Sequence, residues 1–250
     1  MKKKLLFAVL LLATTAGLKA QTNIQEMYDF NRGHLTTTLE MFKGDPWGST
    51  FFFNDIYHPF DMHTPTGYYT EIARAINLWH NTALAPVSLH VEWNGGMYAN
   101  NAWLFGVEYF LHSQDFRNTF TFELMYKYFK QTTQPDIPLQ FTFVWGMKDL
   151  FGVRGLAFSG FLDIWGEHQR WQMDDLSTEE TQLVVLSEPQ LWYCIGQHFG
   201  CPNLNIGGEV ELAYNFAGGW KEFAEIAPGI MANQNKGFTA APCLGVKWVF

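Results

Sequence analysis

In this chain apolar and polar residues alternate one for one, in runs of about ten, almost from end to end, and few folds accept that pattern. In the run 87–94, Val87, Leu89, Val91 and Trp93 fall on one side, while Ser88, His90, Glu92 and Asn94 fall on the other. Trp103, Phe105, Val107, Tyr109 and Leu111 oppose Leu104, Gly106 and Glu108. Phe120, Phe122, Leu124, Tyr126 and Tyr128 oppose Thr121, Glu123 and Lys127. Leu139, Phe141, Phe143, Trp145 and Met147 oppose Gln140, Thr142, Gly146 and Lys148, and Ile206, Val210, Leu212, Tyr214 and Phe216 oppose Asn205, Glu209, Glu211 and Asn215. Successive side chains on a strand point to opposite faces, so each run predicts a strand with one dry and one wet side.

Twelve such segments are expected, near 23–30, 35–43, 49–57, 68–79, 87–95, 101–112, 118–130, 138–149, 154–165, 183–196, 204–216 and 239–250. An even number lets a barrel close with both termini at one end. The run Phe223–Met231 has a poor pattern interrupted by Pro228 and is assigned to a loop. Segment 68–79 is ambiguous, because Tyr69, Ile72, Ala73 and Ile76 also have helical spacing. A strand is favoured there, with a bulge near Ala73 to reconcile Glu71 and Arg74. If the first strand runs outward, the two longest gaps, 166–182 and 217–238, both fall on the outer side, and their acidic residues Asp174, Asp175, Glu179 and Glu180 face solvent.

The first residues carry Lys2, Lys3 and Lys4, an apolar stretch from Leu5 to Leu12, and Leu18-Lys19-Ala20. This reads as a signal peptide, residues 1–20, followed by one barrel domain, 21–250. The mature part has no second long apolar run, which excludes helical membrane spans. The chain is 17% aromatic and only 16% charged, yet its mean hydropathy is −0.09, as expected when polar alternation hides a greasy face. A net charge of −8, with no basic cluster outside the signal peptide, argues against nucleic acid as a partner. Cys194, Cys201 and Cys243 have no metal-binding spacing. Cys194 and Cys201 flank a tight connection and could pair, but small apolar fillers is the preferred reading for all three.

A soluble sandwich or lipocalin-like barrel would alternate in the same way, with its dry face turned inward. Four features favour the transmembrane arrangement. The dry face is rich in Phe, Trp and Tyr, and the wet face in Gly, Ser, Thr and Asn rather than Lys. Trp47, Trp103, Tyr109, Tyr126, Trp145, Tyr214 and Trp248 stand near strand ends as candidate interfacial girdles. The last strand, with Leu244, Val246 and Trp248 opposite Gly245, Lys247 and Val249, ends on Phe250 and resembles the C-terminal signature of Gram-negative outer-membrane barrels. The expected fold is an all-β, 12-stranded antiparallel transmembrane barrel in the outer membrane. It would contact outer-membrane lipid as a monomer and engage the barrel assembly machinery through its final strand.

Leu39-Glu40-Met41-Phe42, Asp45-Pro46-Trp47-Gly48 and Phe51-Phe52-Phe53-Asn54-Asp55 resemble the early hairpin of Tsx-like nucleoside-specific outer-membrane channels. Tyr69-Thr70-Glu71-Ile72-Ala73-Arg74 is similar to that family's Glu-Ile-x-x-Arg strand, and Ser187-Glu188-Pro189-Gln190-Leu191-Trp192 to another of its strands. The resemblance implies a narrow pore that passes nucleosides and related small solutes, with no cofactor. By parity the solute-facing candidates are Glu40, Phe42, Phe51, Phe53, Asp55, Glu71, Arg74, Glu92, Glu188, Gln190 and Trp192, with Glu108, Glu123, Asp163, Glu209 and Glu211 among the further inward acids. Lys127, Lys148 and Lys247 stand against them. Aromatic faces can stack a base while carboxylates hold ribose hydroxyls. Equally, inward charges can pair across strands and simply fill a small barrel, leaving a plugged structural or adhesive protein. A barrel hydrolase would need a nucleophile beside a loop histidine; His58, His63 and His168 fall in expected outer loops, near Asp55, Asp61 and Thr64 in the first two cases, but no nucleophile motif accompanies them.

Overall fold

The structure is a computed structural model that describes residues 20–59, 64–97, 99–130, 132–216, 225–227, 230–232 and 236–250. The expected signal peptide, His63, Asp61 and most of 217–238 lie outside the described residues. The strands are β1 (Gln21–Asp29), β2 (His34–Asp45), β3 (Gly48–Pro59), β4 (Gly67–Ile76), β5 (Val87–Gly96), β6 (Ala102–His112), β7 (Asn118–Phe129), β8 (Leu139–Lys148), β9 (Leu156–Gln172), β10 (Thr178–Ser187), β11 (Gln190–Tyr193), β12 (Leu204–Tyr214), β13 (Glu225–Ala227), β14 (Ile230–Ala232) and β15 (Phe238–Val249). No α-helix occurs among the described residues.

These strands close a barrel of twelve antiparallel staves. β10 and β11 are one stave, since both pair with β9 and β12. The break between them falls at Pro189, which has no N–H to donate to a ladder. The seam joins β1 to β15, from Asn23↔Val249 to Asp29↔Cys243. Its last bond is donated by the Phe250 amide to the Thr22 carbonyl at 2.9 Å. The start of β1 and Phe250 therefore lie at one rim, here called the terminal rim; the opposite one is the loop rim.

Closure gives the alternation its direction. Trp103, Phe105, Val107, Tyr109, Leu124, Tyr126, Leu139, Leu244 and Trp248 stand exposed on the outer wall, whereas Asn23, Gln25, Ser88, Asn94, Lys127, Gln140 and Thr142 are buried inside. A lipocalin-like arrangement is thus excluded, because it would bury the first set. An apolar wall this continuous is solvated by hydrocarbon rather than water.

Several expectations need correction. β4 is a strand, and its register with β3 runs unbroken from Gly48↔Ile76 to Tyr57↔Gly67, so there is no bulge at Ala73. The gap 166–182 is mostly hairpin: β9 and β10 continue past the barrel wall, Trp171 there is fully buried, and only 173–177 turns. His168 accordingly sits on a strand, as does His58 on β3, and neither is in a loop. Within 217–238 the backbone forms the short strands β13 and β14, and β14 runs parallel to the extension of β9 without adding a stave. Phe216 does not join the outer face. Asn215 takes a left-handed conformation (φ 52°) that ends the strand, and Phe216 turns inward to meet Trp165 edge-on at 5.8 Å. Cys194, Cys201 and Cys243 are all free.

The connections at the terminal rim are built from turn chemistry. Asp45 accepts the Trp47 amide at 2.8 Å, and Gly48, at φ 136°, completes the β2–β3 turn. Between β6 and β7, the Ser113 hydroxyl and the Arg117 amide donate to Asp115 at 2.6 and 3.1 Å, and together they hold its carboxyl below the usual range.

Leu124, 54% exposed halfway along β7, tests which way the wall faces. Leu124→Arg is expected to lower folding stability in phospholipid vesicles by about 2–4 kcal/mol, the cost of a cation at the bilayer midplane. Denaturant titration in vesicles measures it.

Candidate functional site

Because side chains alternate, the inner face collects the polar half of every stave, and the polar half of this sequence is rich in acid. The registers Glu40↔Phe53, Phe53↔Glu71, Ala73↔Glu92, Glu108↔Glu123 and Thr142↔Asp163 carry carboxylates around the waist of the barrel. Gln190↔Glu209 continues the belt on the far side, with Glu188 beside it at the stave break. Glu71 lies within electrostatic range of Glu92 on the neighbouring stave and of Asp163 across the lumen, and Glu188 of Glu209 and Glu211 beside it and of Asp55 and Glu71 across from it.

Few cations answer them. Lys127 Nζ donates to Gln140 at 2.8 Å and lies 4.3 Å from the Trp165 ring centre. Gln140 passes the contact to Thr142 at 3.0 Å, and Thr142 donates to Asp163 at 2.5 Å. Lys247 sits 4.2 Å above the Trp192 ring and 3.5 Å from Gln190 Oε1. Gln190 itself donates to Glu209 at 2.8 Å and accepts from Trp192 at 2.9 Å. At the loop rim Arg32 folds back into the barrel, donating to Asp29 and to both oxygens of Glu211 at 2.7 Å.

The lumen is unevenly filled. Toward the loop rim, Ala102, Leu104, Met125, Phe129, Trp165 and Val184 form a buried apolar cluster, with Leu186 and Phe216 packed against it. The inner strip formed by Phe51, Phe53, Asp55, Tyr69 and Glu71, with Asp163, Glu188, Gln190 and Glu209 across from it, keeps partial access to solvent. Along this strip Phe51, Phe53 and Tyr69 make an aromatic ladder with ring centres 5.8 and 5.7 Å apart. Acids flank it: Asp55 accepts from Thr38 at 2.5 Å, and Glu71 from Tyr69 at 2.6 Å. Glu40 lies alongside and accepts from Asn23 at 2.8 Å.

Most of the predicted site residues therefore meet around one part of the lumen: Glu40, Phe51, Phe53, Asp55 and Glu71 on one wall, with Glu188 and Gln190 across from them. Trp192 is buried under Lys247, and Glu92 belongs to a separate cluster with His90. Phe42 has inward parity but sits near the terminal rim, 47% exposed. Arg74 is a correction. Without a bulge it pairs with Thr50 on the outer face, where it binds Asp45 at 2.6 and 2.9 Å and Thr50 at 3.0 Å. Sequence reasoning missed Arg32, which lies in a turn where parity has no meaning. It also left His90 without a role, although that residue shares its face with Glu92. On the outer face Glu26, Thr37 and His58 form a polar group, Thr37 donating to Glu26 at 2.6 Å and lying 3.0 Å from His58. No alternation pattern signals it.

A closed barrel of staves, apolar outside and acidic within, is the class of protein that fold and site define. Residues 21–250 match the family described as "Domain of unknown function (DUF5020)", and the chain belongs to that family. Among solved structures it is similar to one titled "NanC porin structure in rhombohedral crystal form", with a TM-score of 0.52 and 11% sequence identity. The match covers 91% of this chain and 98% of that one. At that identity the likeness concerns the fold. No curated protein matches.

Arg32, 17% exposed, holds two carboxylates of 2% and 11% exposure. Arg32→Ala leaves both without their cation and is expected to cost about 3 kcal/mol in a denaturant titration. Arg117→Ala, at an exposed pair, should change stability by less than about 1 kcal/mol.

Proposed function

We propose that this protein is an outer-membrane channel for small solutes, and that its lumen favours neutral and cationic solutes over anions. The observation that carries the reading is the carboxylate belt, in which acids greatly outnumber Lys127, Lys247 and Arg32. Rings of acidic side chains favour cations in a low-dielectric passage. Fold similarity to a porin supports the channel, and the apolar outer wall, with the amphipathic strand β15 in it, supports insertion into the outer membrane by its assembly machinery. The leader-like residues 1–20, just before the family match, support export. The barrel is read as a monomer.

Within that reading, nucleosides or similar planar solutes are the proposed cargo. The Phe51–Phe53–Tyr69 ladder offers aromatic faces beside Asp55, Glu71 and Glu40 as acceptors for sugar hydroxyls. Nucleotides, as anions, should pass less well. A second reading has its own support: the apolar cluster around Leu104, Met125 and Trp165 fills part of the lumen, as in a closed barrel with a structural role.

Reversal potentials across planar bilayers under a salt gradient decide between them. The channel reading expects cation preference, reduced toward equality by Glu71→Gln combined with Glu188→Gln. A barrel that inserts but conducts nothing favours the closed reading. In liposome swelling, Phe53→Ala with Asp55→Ala should slow nucleoside entry several-fold while leaving a sugar of equal size unaffected. Equal change for both solutes removes the nucleoside assignment.

A further inference from the structure

Glu108 on β6 and Glu123 on β7 are direct cross-strand partners. Like charges placed opposite each other destabilise a sheet, and this pair lies inside the barrel. His90, on β5, reaches across to them. Its Nδ1 is 3.1 Å from Glu108 Oε2 and 4.0 Å from Glu123 Oε2. One ligand atom from each of the three residues lies within 4.8 Å of the others. The residue paired with His90 on β6 is Gly106, two positions before Glu108.

Two details point beyond a salt-linked core. Glu123 is 8% exposed and aimed at this group, yet its carboxylate accepts no hydrogen bond among the described residues; the contact at 4.0 Å is its nearest cation. The other imidazole nitrogen, Nε2, is already engaged by Glu92 at 3.2 Å, and Asn94 donates to Glu92 at 3.1 Å. A histidine that binds a metal through one nitrogen characteristically gives its other N–H to a carboxylate. Charge agrees with geometry. A protonated His90 brings one positive charge against Glu92, Glu108 and Glu123, whereas a divalent ion on neutral Nδ1 would balance Glu108 and Glu123 together.

We propose that His90, Glu108 and Glu123 bind a divalent transition-metal ion on the lumen wall, with Glu92 orienting the imidazole. One nitrogen and two carboxylate oxygens suit Zn²⁺, Co²⁺ or Mn²⁺ better than Ca²⁺, which takes an all-oxygen shell, and solvent completes the coordination. This inference is independent of what the barrel transports.

The test uses the untagged mature barrel folded in detergent, with folding checked by heat-modifiable gel mobility. Calorimetric titration with Zn²⁺ should show one saturable site. Co²⁺ should give a visible spectrum with nitrogen ligation. His90→Ala should abolish that spectrum and weaken Zn²⁺ by tenfold or more. Glu108→Gln with Glu123→Gln should do the same, which covers the case of a histidine variant that folds poorly. Glu167→Gln, a lumen acid on β9, should bind as wild type. No saturable binding by the folded wild type, or equal affinity in wild type and His90→Ala, overturns the site. Because conductance is measured separately, either result leaves the channel question intact.

Discussion

The structure depends on one set of hydrogen bonds, the seam between the first stave and the last. Open, the sheet would expose two edges and its greasy face would have no fixed environment. Closed through Asn23↔Val249 to Asp29↔Cys243, each of the twelve staves has a paired neighbour on both sides, as a hydrocarbon surrounding requires. Closure also turns a simple alternation into a sorting rule, sending Trp248, Val246 and Leu244 outward and Lys247, Gly245 and Cys243 inward. Phe250 adds a final bond to that seam at 2.9 Å.

The cost of the sorting rule is a crowd of carboxylates inside. Buried acids are expensive unless hydrogen-bonded or paired, and the lumen meets the cost in three ways. Arg32 clamps Asp29 and Glu211 at the loop rim; Lys127 and Lys247 lie over tryptophan rings and feed amide relays toward Asp163 and Glu209. Hydroxyl donors such as Thr38 and Tyr69 serve the acids on the partly open strip. At the opposed Glu108 and Glu123 beside His90, a bound cation would relieve the like-charge repulsion directly.

The fold was almost wholly legible in the sequence, because strand parity and barrel closure are both one-dimensional rules. All twelve staves lie where the alternation places them, with boundaries shifted by at most three residues except at the β9–β10 hairpin, which runs five to seven residues further. The failures occur where parity stops applying. Arg74 followed parity outward, because the unbroken β3–β4 register has no bulge to bring it onto the face of Glu71. Arg32 acts from a turn. Phe216 changes faces after a left-handed Asn215. The β9–β10 extension passes beyond the wall, so its residues looked like loop. The aromatic and acidic strip of Phe51, Phe53, Asp55 and Glu71 was readable because it lies on two adjacent, regular staves. The His90 group needed three staves in register before its members could be seen to meet.

The central claim is that the apolar half of each stave faces lipid and the acidic half faces the lumen. Single spin labels at consecutive positions 122–127 of β7, in the barrel folded into vesicles, measure this directly. Collision with oxygen, which partitions into lipid, should be high at Phe122, Leu124 and Tyr126 and low at Glu123, Met125 and Lys127. A reversed pattern, or equal collision rates at all six positions, would contradict the account.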